Sequence, residues 1–235
     1  MNIIRKLSIV VPIYNEEKTI EKILERVFEV NFGNVKLEVI VVNDGSTDNT
    51  LNILNNLKFK FPIKLISYKQ NKGKGSALIE GFKNITGDVI TVQDGDLEYN
   101  PKDFVKMLRK MSEKDVLVVY GSRRLDKENV QYSGLCFYAG GLFLTYMANI
   151  LYGGNITDEP TCYKMFNSKL LKSLDLKSKR FEFCPEVTAK VLKRGIIIYE
   201  VPIYYHPRHT SQGKKIKLKD FFEAIWTLVK YRFII

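Results

Sequence analysis

Over the first 120 residues the hydrophobic pattern switches repeatedly between two periods, and that alternation restricts the chain to few folds. Residues 7–12 form a continuous apolar run closed by Tyr14-Asn15, the pattern of a central strand covered on both faces. Ile20, Ile23, Leu24, Val27 and Phe28 then recur at helical spacing. Residues 37–42 read as a second strand. Leu51, Leu54 and Leu57 mark the inner face of a second helix, which Ser46-Thr47-Asp48 is suited to open. Strands follow at residues 63–67, 88–92 and 116–120. Between them lie a helix carrying Ala77, Leu78, Phe82 and Ile85 and one at 104–111, started by Asn100-Pro101. Such units predict a doubly wound, mostly parallel α/β sheet flanked by helices, with its ligand crevice beyond the carboxyl ends of the strands.

Chemistry is therefore sought in the loops after the strands. Pro12-Ile13-Tyr14-Asn15-Glu16 follows the first, Asn43-Asp44-Gly45-Ser46 the second, and Gln93-Asp94-Gly95-Asp96-Leu97-Glu98 the fourth. Asp94 and Asp96, separated by one glycine, suit a hard divalent cation carrying a diphosphate, and Glu98 could add a third oxygen; a solvated turn is the plainer alternative. Asp44 is either a turn residue or an acceptor for the N–H groups of a nucleotide base. Asn71-Lys72-Gly73-Lys74-Gly75 resembles a phosphate cradle at a helix N-terminus, with Lys72 and Lys74 as its cations. Neither a Walker A motif nor a dinucleotide-binding glycine fingerprint occurs.

Beyond residue 120 the pattern is different. Residues 129–157 carry LCFYAGGLFLTYMANILYG and read as a buried or interfacial helix; a full span is disfavoured by Gly140-Gly141, Thr145 and Asn149. A short strand at 162–166, a helix near 168–174, a helix from Cys184-Pro185-Glu186 to Lys193-Arg194-Gly195 and a strand at 196–201 follow. Residues 206–217 read as a mobile basic loop, and 218–235 as an amphipathic helix with Leu218, Phe221, Phe222, Ile225, Trp226 and Val229 on one side. The expected division is a domain over 1–217 and that helix.

Lys and Arg exceed Asp and Glu by 37 to 26, a net charge of +11, which favours an anionic partner without choosing it. No basic-aromatic motif points to nucleic acid. Three dispersed cysteines and two histidines make a disulfide framework or His-rich metal site improbable and fit a reducing cytosol; the N-terminus has no cleavable signal pattern.

Taken in order, VPIYNEEKTI, VVNDGSTDNT, NKGKGSALIEGF, VQDGDLEYNP, YGSRRL, TDEPTCYKMF and FEFCPEVTAKVLKRG resemble family 2 of the inverting glycosyltransferases, which have the GT-A fold. The likeness spans about residues 8–215. Its second half is similar to the branch of dolichyl-phosphate mannose synthases and polyprenyl-phosphate glucosyltransferases. The resemblance implies a nucleotide-sugar donor (GDP-mannose or UDP-glucose), Mg2+ or Mn2+, and a polyprenyl-phosphate acceptor at the cytoplasmic face of a membrane, bound peripherally. It implies that Pro12, Tyr14, Glu16 and Asp44 line the nucleotide and that Asp94 and Asp96 hold metal and diphosphate. Glu98 stands where the branch often has a metal-binding glutamine. Arg123 would contact phosphate, and Arg208, with Lys214 and Lys215, would belong to a loop closing over donor and acceptor.

A polyprenyl phosphate is already ionised, so its transfer needs positioning and leaving-group stabilisation more than a base. A sugar hydroxyl acceptor, in a soluble enzyme extending a surface glycan, needs a carboxylate base, for which Asp158 and Glu159 are the candidates. A helix-ending turn is their structural alternative. The chain departs from the family in one respect: residues 138–150, where an arginine often reaches the acceptor phosphate, carry no charge.

Overall fold

The computed structural model describes residues 2–126, 131–132, 134–208 and 217–234. Strands and helices alternate as β1 (Lys6–Ile13), α1 (Ile20–Phe28), β2 (Lys36–Asn43), α2 (Thr50–Lys60), β3 (Ile63–Ser67), α3 (Lys74–Lys83), β4 (Val89–Val92), α4 (Asp103–Met111) and β5 (Val118–Ser122). The second half adds α5 (Leu135–Tyr152), β6 (Lys164–Asn167), α6 (Ser168–Ser173), α7 (Phe183–Lys193), β7 (Tyr199–Pro202) and α8 (Leu218–Phe233).

The described strands form one sheet in the order β3-β2-β1-β4-β6-β5-β7. All neighbours pair in parallel except β6, which runs antiparallel to both β4 and β5. The reason is where the chain enters it: residues 157–163 cross the carboxyl ends of the other strands, so β6 starts there and returns. That one reversal places the 157–163 turn beside the strand-end loops.

Both faces of the sheet are covered, as the unbroken apolar runs require. Ile9 and Val11 of β1 face α1, α2 and α4, packing with Ile23, Leu24 and Phe104. Val10 faces the other way, with Leu78, Phe166, Val187 and Leu228. Full burial of one such side chain stabilises by about 1.5–3 kcal/mol, so the central strand holds the two layers together. In α1, buried Ile20, Ile23, Leu24 and Val27 follow the expected spacing.

Two expected helix starts move. Helix α2 begins at Thr50, because Ser46, Thr47 and Asp48 serve the strand-end loops instead: Ser46 Oγ accepts the Asn15 amide at 3.0 Å, and the Asp48 carboxylate accepts the Thr50 and Glu17 amides. Helix α4 begins at Asp103, since Asn100 Oδ1 accepts the Lys102 amide within a preceding turn. Far from that edge, Glu38 near the start of β2 joins Lys6 (2.7 Å), Ser8 and Thr86. Against the upward push of burial, those donors hold its carboxyl down to about 2.

Helix α5 buries only Gly141, Leu144, Thr145 and Ala148, and leaves Leu135, Tyr146 and Ile150 exposed. It is long and apolar enough to cross a membrane by length and composition, and 22% of it is buried. Helix α8 occupies the expected residues, starts with the Lys217 amide donated to Asp220, and packs on α7 and α5.

Candidate active site

A cavity of about 1030 Å³ opens at the carboxyl ends of β1, β2, β4 and β5 and runs on between α5 and α8. Pro12, Tyr14, Glu16, Asp44, Lys74, Asp94, Asp96, Glu98, Arg123 and Arg208 all line it. The loops expected to converge do so.

Its acidic floor is internally paired. Lys74 Nζ lies 2.6 Å from Asp94 Oδ1. The Arg208 guanidinium reaches Asp96 at 3.0 Å, Glu16 at 3.2 Å and Glu98 at 3.9 Å, while the Arg208 amide donates to Glu98 at 2.8 Å. Residues 209–216 of the expected mobile loop, with Lys214 and Lys215, lie outside the described residues; its first residues are anchored, since the His206 amide also bonds Glu98. Asp96 is pushed up to about 7 by burial and by the charges of Asp94 and Glu98, which outweigh Arg208. Asp94 stays below the ordinary range, because Lys74 and other donors overcome burial.

Among the described residues, Asp94, Asp96, Glu98 and Glu16 share the two side-chain cations Lys74 and Arg208. Among the described residues no cluster of three His, Cys, Asp or Glu side chains stands ready for a metal, because their oxygens are turned to Lys74 and Arg208. The donor set nevertheless fits one. Its donors are all hard carboxylate oxygens on one short loop, and the buried Arg208 Nε, which makes no hydrogen bond, suits an anionic group beside such a cation. Asp94, Asp96 and Glu98 fit a divalent cation once Arg208 yields its place.

The glycine-rich segment differs from the expected cradle. The Asp44 carboxylate accepts the Lys72 and Gly73 amides, each at 2.8 Å, and the Asn71 side chain at 3.0 Å. Asp44 thus clamps this loop, and burial raises its pKa despite those bonds. The Ser76 amide is spent on the carbonyl of Lys179. Lys72 sets its ammonium 4.0 Å from the Tyr68 ring centroid and is not among the cavity-lining residues; Lys74 supplies the cation there. Gly73 has no substitute: its φ is +98°, and a Cβ would come within 2.3 Å of the Lys179 carbonyl oxygen.

Strand β5 extends to Ser122, two residues past the expected end, so Arg123 emerges at the strand terminus. Its Nε and Nη2 donate to Asp158, each at 2.7 Å, and its amide donates at 3.0 Å. Asp158 is 0% exposed. Burial opposes its ionisation, but the Arg123 charge prevails and keeps it below the ordinary carboxylate range. A carboxylate clamped in this way is not an open base. Glu200, which the sequence reading missed, holds the same turn through the Thr157 and Asp158 amides. Glu159 lines the cavity with a buried Oε2 that has no partner, and burial raises its pKa.

The uncharged helix does have a cation against it, from another segment. Arg124 Nη1 donates to the Thr157 carbonyl at 3.0 Å and to Thr145 of α5 at 3.2 Å. A Cβ on Gly141 would stand 2.6 Å from Arg124 Nη2, so the glycine lets this cation lie against an uncharged helix. The glycine pair within α5 was the available signal.

Comparison with known proteins agrees with this architecture. The Glycosyl transferase family 2 model matches residues 8–175. Over 215 residues the chain is 30% identical to UDP-N-acetylglucosamine–dolichyl-phosphate N-acetylglucosaminyltransferase of Methanococcus voltae, covering 84% of each. It is 27% identical over 232 residues to dolichol-phosphate mannosyltransferase of Pyrococcus furiosus, covering 96% of this chain but only 64% of that protein. A solved structure of glucosyl-3-phosphoglycerate synthase from Mycobacterium tuberculosis, with Mn2+, UDP and phosphoglyceric acid, superposes with a TM-score of 0.71 at 21% identity, covering 98% of this chain and 80% of that one. The fold is of the GT-A type, and the chain belongs to glycosyl transferase family 2.

Proposed function

We propose that this chain is an inverting, Mg2+- or Mn2+-dependent transferase that moves a hexose or N-acetylhexosamine from a nucleotide-sugar to a polyprenyl phosphate. The reaction takes place at the cytoplasmic face of a membrane. The observation that carries this reading is the Arg123–Asp158 clamp. The carboxylate best placed by sequence to serve a hydroxyl acceptor is fully buried and already engaged by a guanidinium.

A phosphate acceptor requires no deprotonation, because its oxygen is ionised at neutral pH. What the chain must provide is orientation and charge. Pro12, Tyr14, Glu16 and the Asp44 clamp form the nucleotide end. A bound cation would neutralise the leaving diphosphate, held by Asp94, Asp96 and Glu98. Lys74 and Arg208 supply positive charge at the same end. Arg124, against α5, supplies it on the acceptor side. Attack by the acceptor oxygen opposite the departing diphosphate inverts the anomeric carbon.

The apolar end suits a lipid. Leu135, Tyr146 and Ile150 of α5 are exposed, as are Phe222 and Trp226 of α8, and Phe143 meets Phe221 with ring centroids 6.0 Å apart. Lys219, Lys230 and Arg232 accompany them on α8. Exposed aromatic and aliphatic residues beside lysine and arginine favour an anionic bilayer surface. The two dolichyl-phosphate relatives support the same acceptor class.

A second reading, transfer to a sugar hydroxyl, is favoured by one feature: the unpartnered oxygen of Glu159 in the cavity wall. The deciding assay pairs GDP-mannose, UDP-glucose and UDP-N-acetylglucosamine with a short polyprenyl phosphate and, separately, with oligosaccharide acceptors. Transfer to the lipid phosphate, retained in Glu159→Gln, is the expected result. Transfer only to hydroxyl acceptors, abolished by Glu159→Gln, would replace this reading with the second.

A further inference from the structure

Three buried tyrosines, Tyr163, Tyr99 and Tyr205, stack behind the acidic loop. Ring centroids lie 4.7 Å apart between Tyr163 and Tyr99, and 5.1 Å between Tyr99 and Tyr205. Tyr163 donates its hydroxyl to Gln93 at 2.6 Å, and the Gln93 side chain donates to the Asp94 carbonyl at 3.0 Å. Among the described residues the Tyr99 hydroxyl meets only the Cys162 amide, at 3.4 Å. Tyr205 reaches further. Its hydroxyl donates to Glu98 Oε2 at 3.0 Å, and the Arg123 guanidinium carbon stands 5.0 Å from the centroid of the same ring.

Tyr205 belongs to the stretch after β7, which runs antiparallel beside the acidic loop. It pairs with Tyr99 in an isolated bridge, the His206 amide donates to the Glu98 carbonyl at 2.8 Å, and the Tyr204 amide donates to Asp103 at 3.0 Å. Those bonds fix where the backbone of Glu98 lies, not where its carboxylate points. The carboxylate is set by two donors: the Tyr205 hydroxyl on Oε2 and the Arg208 amide on Oε1, at 2.8 Å. Arg208 must give way or share oxygens when a cation enters, so the Tyr205 hydroxyl is the donor that can stay. One hydroxyl leaves a carboxylate with lone pairs to spare for a metal, and partners of this kind orient metal ligands.

The geometry points to Tyr205 as a positioning residue that holds Glu98 for the divalent cation and supports Arg123 for the acceptor phosphate. Arg123 spends Nε and Nη2 on Asp158, and among the described residues its Nη1 makes no hydrogen bond. The Tyr205 ring limits the swing of that guanidinium at the cavity wall and adds a cation–π attraction. One buried side chain thereby sets the cation end against the acceptor end, which separate loops carry. The contacts stand without the proposed function; what Glu98 and Arg123 bind rests on it.

The test compares Tyr205→Phe, Tyr205→Leu and Tyr99→Phe in the full chain, with Tyr205→Met in place of the leucine variant where that one does not fold. Calorimetry measures Mn2+ affinity with UDP or GDP present. Steady-state assays at saturating Mn2+ measure the KM for a short polyprenyl phosphate. Tyr205→Phe keeps the ring and loses the hydroxyl, so Mn2+ affinity should fall about tenfold while that KM stays at the wild-type value. Tyr205→Leu should add a rise of about fivefold in the KM. Tyr99→Phe, which also removes a buried hydroxyl from the stack, should change neither. Wild-type Mn2+ affinity in Tyr205→Phe, or an equal loss in Tyr99→Phe, would overturn the role at Glu98. A KM no higher in Tyr205→Leu than in Tyr205→Phe would overturn the role at Arg123. Wild-type protein that binds Mn2+ and nucleotide yet transfers nothing to the lipid phosphate would instead remove the proposed acceptor, and the Mn2+ titrations would then decide Tyr205 alone.

Discussion

At the strand ends the cavity wall is charged and internally paired, whereas along α5 and α8 it is apolar and half open to solvent. Asp94, Asp96, Glu98 and Glu16 already hold Lys74 and Arg208. On the other side Leu135 is 74% exposed and Trp226 65%. The difference separates two kinds of ligand requirement. At the charged end the carboxylates are engaged by the chain's own cations, so the proposed metal and diphosphate would compete with those ion pairs. Among the described residues nothing covers Leu135, Tyr146 or Trp226 at the apolar end, so an occupant there gains from displacing water. One cavity thus joins a charged end to an apolar one, as the proposed acceptor, with a phosphate head and a hydrocarbon tail, would require.

Substitutions that break the charged end should have the largest effects. Asp96→Ala is expected to lower metal-dependent donor turnover by about a thousandfold, the equivalent of about 4 kcal/mol. Steady-state rates across a Mn2+ titration read this out, and full activity would remove Asp96 from the cation site. Next comes Asp158→Ala. It leaves the buried Arg123 without its carboxylate and should cost about 3 kcal/mol of folding stability in urea titrations. Unchanged stability with lost transfer would turn Asp158 from a clamp back into a base, and with it the acceptor from phosphate to hydroxyl.

Much of the charged end was legible because it is written locally. A buried strand followed by Asp94-Gly95-Asp96 is readable within ten residues, and β1 and α1 fell where the periodicity put them. The direction of β6 was not legible, since four residues of strand carry the same alternation whichever way they run. Nor was the bond from Arg208 to Glu98, 110 residues away, or the turn of Lys72 onto Tyr68. These depend on which segments the topology brings together. The apolar end was legible as composition but not as geometry: Arg124 lying against Gly141 required the segment after β5 to meet α5.

A control remote from both ends sharpens the contrast. Glu38, held down to about 2 from an ordinary 4.5, stabilises the fold fully above pH 4.5 and loses that contribution as pH falls towards 2. Glu38→Gln should therefore cost about 2 kcal/mol near neutral pH, with the gap to wild type narrowing at about pH 3. Nucleotide binding should persist wherever the variant is folded. A gap that widens in acid would reverse the sign assigned to Glu38. At the apolar end, Trp226→Ala should weaken binding to anionic vesicles about fivefold, and added salt should weaken both proteins. Vesicle binding indifferent to Trp226 and to salt would detach α8 from the membrane surface.

The smallest expected effect concerns the exchange itself. The Arg208 guanidinium stands among Glu16, Asp96 and Glu98, and its buried Nε makes no hydrogen bond. It partly neutralises those carboxylates, so an incoming divalent cation must displace it or share its oxygens. Removing the guanidinium leaves those carboxylates repelling one another, which raises the gain from cation binding. Arg208→Gln should therefore tighten Mn2+ binding in the absence of nucleotide about threefold, even as donor turnover falls for want of a charge beside the diphosphate. Calorimetric titration of the free protein with Mn2+ separates the two effects. Weaker or unchanged Mn2+ affinity would mean that Arg208 and the metal do not compete, and the charged end would then be a fixed frame of ion pairs, closed to exchange.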